Sequence, residues 1–119
     1  MDVFKVRHYG KDAAIRQKME AFGGRREAQA RDVFDLHLLV PHPAPERLVA
    51  FLAKELPTDR LKEAQARALA VTYAEYEGQV FEFLGEEARS RYGSESAWDE
   101  TRLRVEAFIS SVLKAQEGR

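Results

Sequence analysis

The sequence predicts a mainly α protein, a compact bundle of about six helices preceded by one short strand. Three observations carry this expectation. Apolar residues recur at helical spacing along most of the chain, as at Ile15, Met19 and Phe22, which places them on one face of a 3.6-residue period. Two cap-like motifs, Thr72 with Glu75 and Ser96 with Asp99, stand directly before apolar runs. Glycine and proline punctuate the chain at short intervals, and there is no internal repeat or low-complexity segment. At 119 residues the whole chain, 1–119, reads as a single domain able to bury a core.

The elements follow in order. "VFKVRHY", from Val3 to Tyr9, has the β-branched and aromatic content of a strand, which Gly10 would break. Asp12 suits the N-cap of a helix over Ala13–Phe22, and Gly23 and Gly24 would end it by accepting a left-handed backbone. A second helix over Arg26–Val40 carries apolar residues on more than one face, so it is expected to be the central, most buried one. "PHPAP" breaks the chain, and Pro45 fits the first turn of the next helix, whose stripe is Leu48, Phe51, Leu52 and Leu56. Thr58 or Asp59 opens a helix with Leu61, Ala64, Ala68 and Leu69. Thr72 and Glu75 form a capping box, with Val71 and Tyr76 as its hydrophobic staple, for a helix over Tyr73–Leu84. A short piece near Glu86–Tyr92 leads to Gly93, and the Ser96 box opens a long last helix lined by Trp98, Val105, Phe108, Ile109, Val112 and Leu113. The tail "AQEGR" is expected to fray.

Composition excludes several functions. A formal net charge of −1 gives no global field toward nucleic acid or membrane, and no apolar run approaches a membrane span. The absence of cysteine removes disulfides, thiolate metal sites and cysteine nucleophiles. A charged N-terminus without an apolar segment points to a cytoplasmic bacterial protein. His8, His37 and His42 lack zinc-ligand spacing; His37 in "DLHLLV" reads as a structural histidine and His42 as a loop residue.

The chemistry-bearing stretch is "KMEAFGGRREAQARDVFDLHLL", Lys18 to Leu39. Asp32 and Asp35, three apart, share one helix face. Two such carboxylates can hold a hard divalent cation such as Mg²⁺, or they can form salt bridges, Arg31 to Asp35 and Arg25 or Arg26 to Asp32. Lys18 would fold back toward Arg31 and Asp32 through the double glycine. An ammonium beside a carboxylate suits the grip on a nucleoside triphosphate and its magnesium, and equally suits an ordinary surface pair.

"QKMEAFGGRREAQARDVFDLHLL" resembles the K-x-x-A-L … R … A-R-D-x-x-D-L segment of the AbiEii/AbiGii nucleotidyltransferase family, toxins of type IV toxin–antitoxin and phage-abortive systems. "VTYAEYEGQVFEFL" is similar to the capped helix that follows it there, ending in V-x-x-F-L. The resemblance implies a polymerase-β-type enzyme that transfers nucleotides from an NTP with Mg²⁺. Lys18 then takes the place of the NTP-contacting lysine and Asp32 that of the downstream catalytic aspartate, with Arg25, Arg31 and Asp35 supporting them at the substrate. The family's Gly-Ser turn and D-x-D, which bind the metal ions, are absent here, so Mg²⁺ chemistry would need carboxylates from elsewhere. The chain then corresponds to the C-terminal helical half, inactive alone, with an antitoxin, an N-terminal partner chain or a second copy as expected partners. The alternative is a non-enzymatic interaction or dimerisation module, for which Trp98, Tyr73 and Phe81 would supply surface aromatics. RNA binding through "GGRRE" lacks interleaved aromatics for base stacking.

Overall fold

A computed structural model describes residues 3–24, 30–80 and 84–118, with side chains from residue 10 onward. Among the described residues it contains seven helices: α1 (Val3–Gly24), α2 (Ala30–Leu39), α3 (Glu46–Glu55), α4 (Thr58–Ala70), α5 (Tyr73–Gln79), α6 (Glu86–Tyr92) and α7 (Glu95–Glu117). The mainly α class expected from the periodicity is what forms.

The strand is a correction. Val3–Tyr9 is helical and continuous with α1, and Gly10 lies inside that helix rather than breaking anything. The described residues offer no second strand, and a lone strand leaves its backbone groups unpaired, whereas extending a helix adds one hydrogen bond per residue. Asp12 is accordingly not an N-cap. It is buried in mid-helix and takes the guanidinium of Arg47 from α3.

The double glycine also acts differently from the expectation. α1 runs through Gly24, and neither glycine has a positive φ. A Cβ at Gly23 would lie 2.5 Å from the Arg60 carbonyl oxygen, and one at Gly24 would lie 2.5 Å from the Arg60 guanidinium. The glycines let α1 and α4 cross at close range, which is a packing demand and not a turn demand.

The hub of the bundle is α7, not α2: it packs on α2, α3, α4, α5 and α6. Its length explains this, since 23 residues span the body and can meet several partners in succession. Ile15, Met19, Phe22, Leu48, Leu52, Leu61, Trp98, Ile109 and Val112 are sealed from solvent in one core. Trp98 is fully buried, as its place on the inner face of the last helix requires and against its use as a surface aromatic in the interaction-module alternative: its ring stacks on Tyr76 with centroids 4.4 Å apart, and its Nε1–H donates to the Val71 carbonyl at 3.3 Å. Tyr73 is half-buried, its hydroxyl donating to the Gly93 carbonyl, and Phe81 lies outside the described residues.

Side-chain caps open two of the helices, α5 and α7. The Glu75 N–H donates to the Thr72 hydroxyl at 3.2 Å, and both Val71 and Tyr76 are buried beneath that turn, as the capping box and staple require. The helix it opens ends at Gln79, with Val80 as its C-cap, short of the expected Leu84. The last helix is capped by Ser94 rather than Ser96, the Ala97 N–H donating to the Ser94 hydroxyl at 3.1 Å. Starting there puts Glu95 in the first turn, where the helix dipole favours a carboxylate. The tail is held as well. The Gln116 amide donates to the carbonyls of Ala53 and Leu56 at 3.0 and 2.6 Å and accepts from the Thr58 hydroxyl, tying the end of α7 to the α3–α4 corner.

Candidate functional site

Lys18 stands on α1, Asp32 and Asp35 on α2. The packing of α1 on α2 brings them together: the Lys18 Nζ lies 2.8 Å from Asp35 Oδ2 and 3.7 Å from Asp32 Oδ1. The spacing of three residues sets both carboxylates on the α2 face toward α1. Asp32 is almost wholly buried, while Lys18 and Asp35 are about a third exposed, at 36% and 30% of their side-chain surfaces. The cluster is therefore a buried acid beside a part-exposed ammonium and a second, part-exposed acid.

Several local features fix it. Val33, Phe34 and Leu36 anchor α2 in the core around the aspartates, so the carboxylates cannot swing away. Asp32 lies in the first turn of α2, where the backbone N–H groups favour negative charge. The Ala30 N–H at the start of α2 donates to the Gln79 side chain of α5 at 2.9 Å. Gln79 thus positions the helix that carries the site, and no pattern in the sequence marks it: a polar residue near a helix end has many uses, and its partner is 49 positions away.

The arginines divide. Arg31 is exposed and forms no ion pair among the described residues, so the expected Arg31–Asp35 bridge is replaced by Lys18–Asp35. On a straight helix the i, i+4 pair is available, but the Lys18 ammonium reaches α2 from α1 and lies 2.8 Å from Asp35 and 3.7 Å from Asp32 instead. Arg25, and Arg26 with it, lie outside the described residues.

Among the described residues the cluster sets the Lys18 ammonium against the carboxylates of Asp32 and Asp35. The Lys18–Asp35 pair is part-exposed, and such a pair contributes only about 0–1 kcal/mol, so the ammonium can exchange it for another acceptor at modest cost. No group of three or more acidic or histidine side chains suited to a metal occurs among the described residues.

A second polar region surrounds His37 near the end of α2. Its ring lies 5.2 Å from that of His42, which folds back from the proline loop so that His42 Nε2 sits 3.4 Å from the His37 carbonyl. Burial holds the His37 pKa below its ordinary value, with His42, Arg104 and Arg91 acting in the same direction and Glu100 opposing them. In the adjoining core, burial pushes the Tyr76 hydroxyl up to about 12, with Tyr73 and Tyr92 adding to the shift.

The chain was compared with protein-family models, curated proteins and solved structures, and none of the three comparisons produced a match.

Proposed function

We propose that this chain is the helical part of a nucleotidyltransferase resembling the AbiEii/AbiGii toxins, in which Lys18 and Asp32 contact the Mg²⁺-bound triphosphate of an NTP and Asp35 and the arginines at 25 and 31 support them. The single observation that supports the reading is the convergence of Lys18 with Asp32 and Asp35 from two helices into one partly exposed ionic cluster. Lys18 neutralises the transferring phosphates, and the buried carboxylate holds that lysine in line; transfer of this kind rests on charge neutralisation and alignment. The cation-holding D-x-D is missing from the sequence, so nucleotide transfer requires carboxylates from another polypeptide segment.

Calorimetry with each Mg²⁺-loaded NTP tests this. The wild type binds at least one of them, and Lys18→Ala weakens that binding about tenfold or more, the loss of one charge-assisted contact. Lys18→Arg, which keeps the charge, loses less. Circular dichroism establishes that each variant is folded. Absence of binding by the wild type, or equal binding by folded Lys18→Ala, overturns the reading.

A second reading, a non-enzymatic module that binds an antitoxin, an N-terminal partner chain or a second copy, draws on Leu38, Leu69 and Leu103. These leucines on α2, α4 and α7 are 56%, 45% and 49% exposed. Light scattering over a concentration series checks self-association, and a strict monomer throughout removes the homodimer.

A further inference from the structure

α2, α6 and α7 enclose a cavity of about 190 Å³ lined by His37, Arg91, Tyr92, Thr101, Glu100 and Arg104. We propose that this cavity is a binding site for a phosphate-type dianion, held by the guanidiniums of Arg91 and Arg104 with the His37 imidazole as a third, titratable donor. The site is separate from the Lys18 cluster and does not depend on its role.

The charge around the cavity is lopsided in a chain whose acids and bases nearly balance. Two guanidiniums and an imidazole face it against one carboxylate. Arg91 stacks over the Tyr92 ring at 5.5 Å and forms no ion pair among the described residues, so its donors are available. Arg104 binds Glu100 at 2.7 Å, but that pair is exposed and spaced i, i+4, which makes it weak and exchangeable for a stronger acceptor. Planar guanidiniums arriving from two different helices match the several oxygens of a phosphate better than one flexible ammonium does. The walls are firm: Tyr92 packs edge-on to Phe34 at 5.3 Å and to His37 at 6.2 Å, and the Thr101 hydroxyl is spent on the Ala97 carbonyl. Arg104 also lines a neighbouring groove of about 430 Å³ with Pro43, Val49 and Phe108, giving room for an organic body attached to the phosphate.

The occupant and His37 are coupled. With the cavity free, burial, His42, Arg104 and Arg91 all favour the neutral imidazole, and only Glu100 favours its charged form. A dianion placed among these groups favours the imidazolium, so binding raises the His37 pKa and tightens as pH falls through the His37 titration.

NMR of the whole chain, following the His37 ring and the arginine side-chain N–H groups, reads this directly. Inorganic phosphate is added at constant ionic strength, with chloride as the control. Sulfate replaces it in the pH series because it stays dianionic throughout. The expected result is a saturable shift at His37, a rise of its pKa in sulfate, and about tenfold weaker binding in Arg91→Ala and in Arg104→Ala, each losing one charge-assisted contact. Arg16→Ala, on α1, leaves binding unchanged. Glycerol 3-phosphate distinguishes the source: tighter binding than inorganic phosphate assigns an organic phosphomonoester, and equal binding assigns the free anion. A shift that chloride reproduces, or binding that survives the double variant Arg91→Ala/Arg104→Ala, overturns the proposal.

Discussion

Helix α2 is joined to the rest of the molecule along two seams of opposite chemistry. Toward α1 the seam is ionic, one lysine against two aspartates, with Asp32 almost fully buried. Toward α5, α6 and α7 it is aromatic: Phe34 meets Tyr76 and Tyr92, and Tyr76 stacks on Trp98. In the aromatic seam three polar tips end on backbone carbonyls, Tyr76 on Tyr92, Tyr73 on Gly93 and Trp98 on Val71. Burying these rings leaves none of the three donors stranded. The ionic seam must first strip water from the Asp32 carboxylate, a cost that the charged groups around it have to offset. The difference teaches where to look for function, because a buried carboxylate depends on the groups placed around it while a buried ring does not.

The largest expected effect lies in the aromatic seam. Trp98→Ala should cost about 3–5 kcal/mol, the range for deleting a buried aromatic ring, read from urea unfolding midpoints. Trp98→Phe keeps most of the volume, loses the bond to Val71 and should cost about 1–3 kcal/mol. Equal and small losses in both would erase the contrast between the seams.

Next comes the α1–α4 crossing, a third seam made by close backbone approach. Gly23→Ala drives a methyl against the Arg60 carbonyl and should destabilise by about 1–3 kcal/mol. Gly10→Ala, in the same helix with open space around it, should stabilise by about 0.5–1 kcal/mol. If both shift melting in the same direction, the crossing is looser than described.

In the ionic seam, Lys18→Ala should cost only about 1 kcal/mol, and the difference from wild type should shrink in high salt. A loss as large as that of Trp98→Ala would mean that the cluster holds the bundle together and is not spare capacity for a ligand.

The smallest effects are in the pH profile. The Tyr76 pKa is raised in the folded state, so its contribution is full below the ordinary tyrosine value near 10 and is lost as pH rises through that value toward about 12. Tyr76→Phe should flatten this alkaline arm. His37 is lowered, so the unfolded chain binds more protons and stability falls as pH drops below the ordinary value of 6.5. His37→Gln should remove that slope, measured by thermal melts between pH 5 and pH 7.

Local signals were readable wherever the residues concerned lie within one turn of each other. The Thr72 box and the stop at Pro57 needed no tertiary information, and the apolar stripes named the buried faces of α1, α3, α4 and α7. One cap lies two residues from the sequence reading: the last helix is expected to open at the Ser96 box, and the hydroxyl that accepts the Ala97 N–H is that of Ser94. The convergence of Lys18 with the aspartates was legible because two helices close in sequence, each with an apolar face to bury, tend to pack on one another. Their partner choice was not, since Arg31 offered Asp35 an equally good bridge.

The sequence by itself determined the helical class, the breaks between most elements and which side chains are apolar enough to be sealed inside, because those follow from periodicity and backbone chemistry over a few residues. Only the tertiary structure decided that Val3–Tyr9 joins α1, that Gly23 serves a crossing, that Trp98 stacks on Tyr76, and that Gln79 and Gln116 pin distant helix ends. Each of these depends on what another part of the chain places opposite a residue, and contacts between positions dozens apart are fixed by the packing of whole helices rather than by any local pattern.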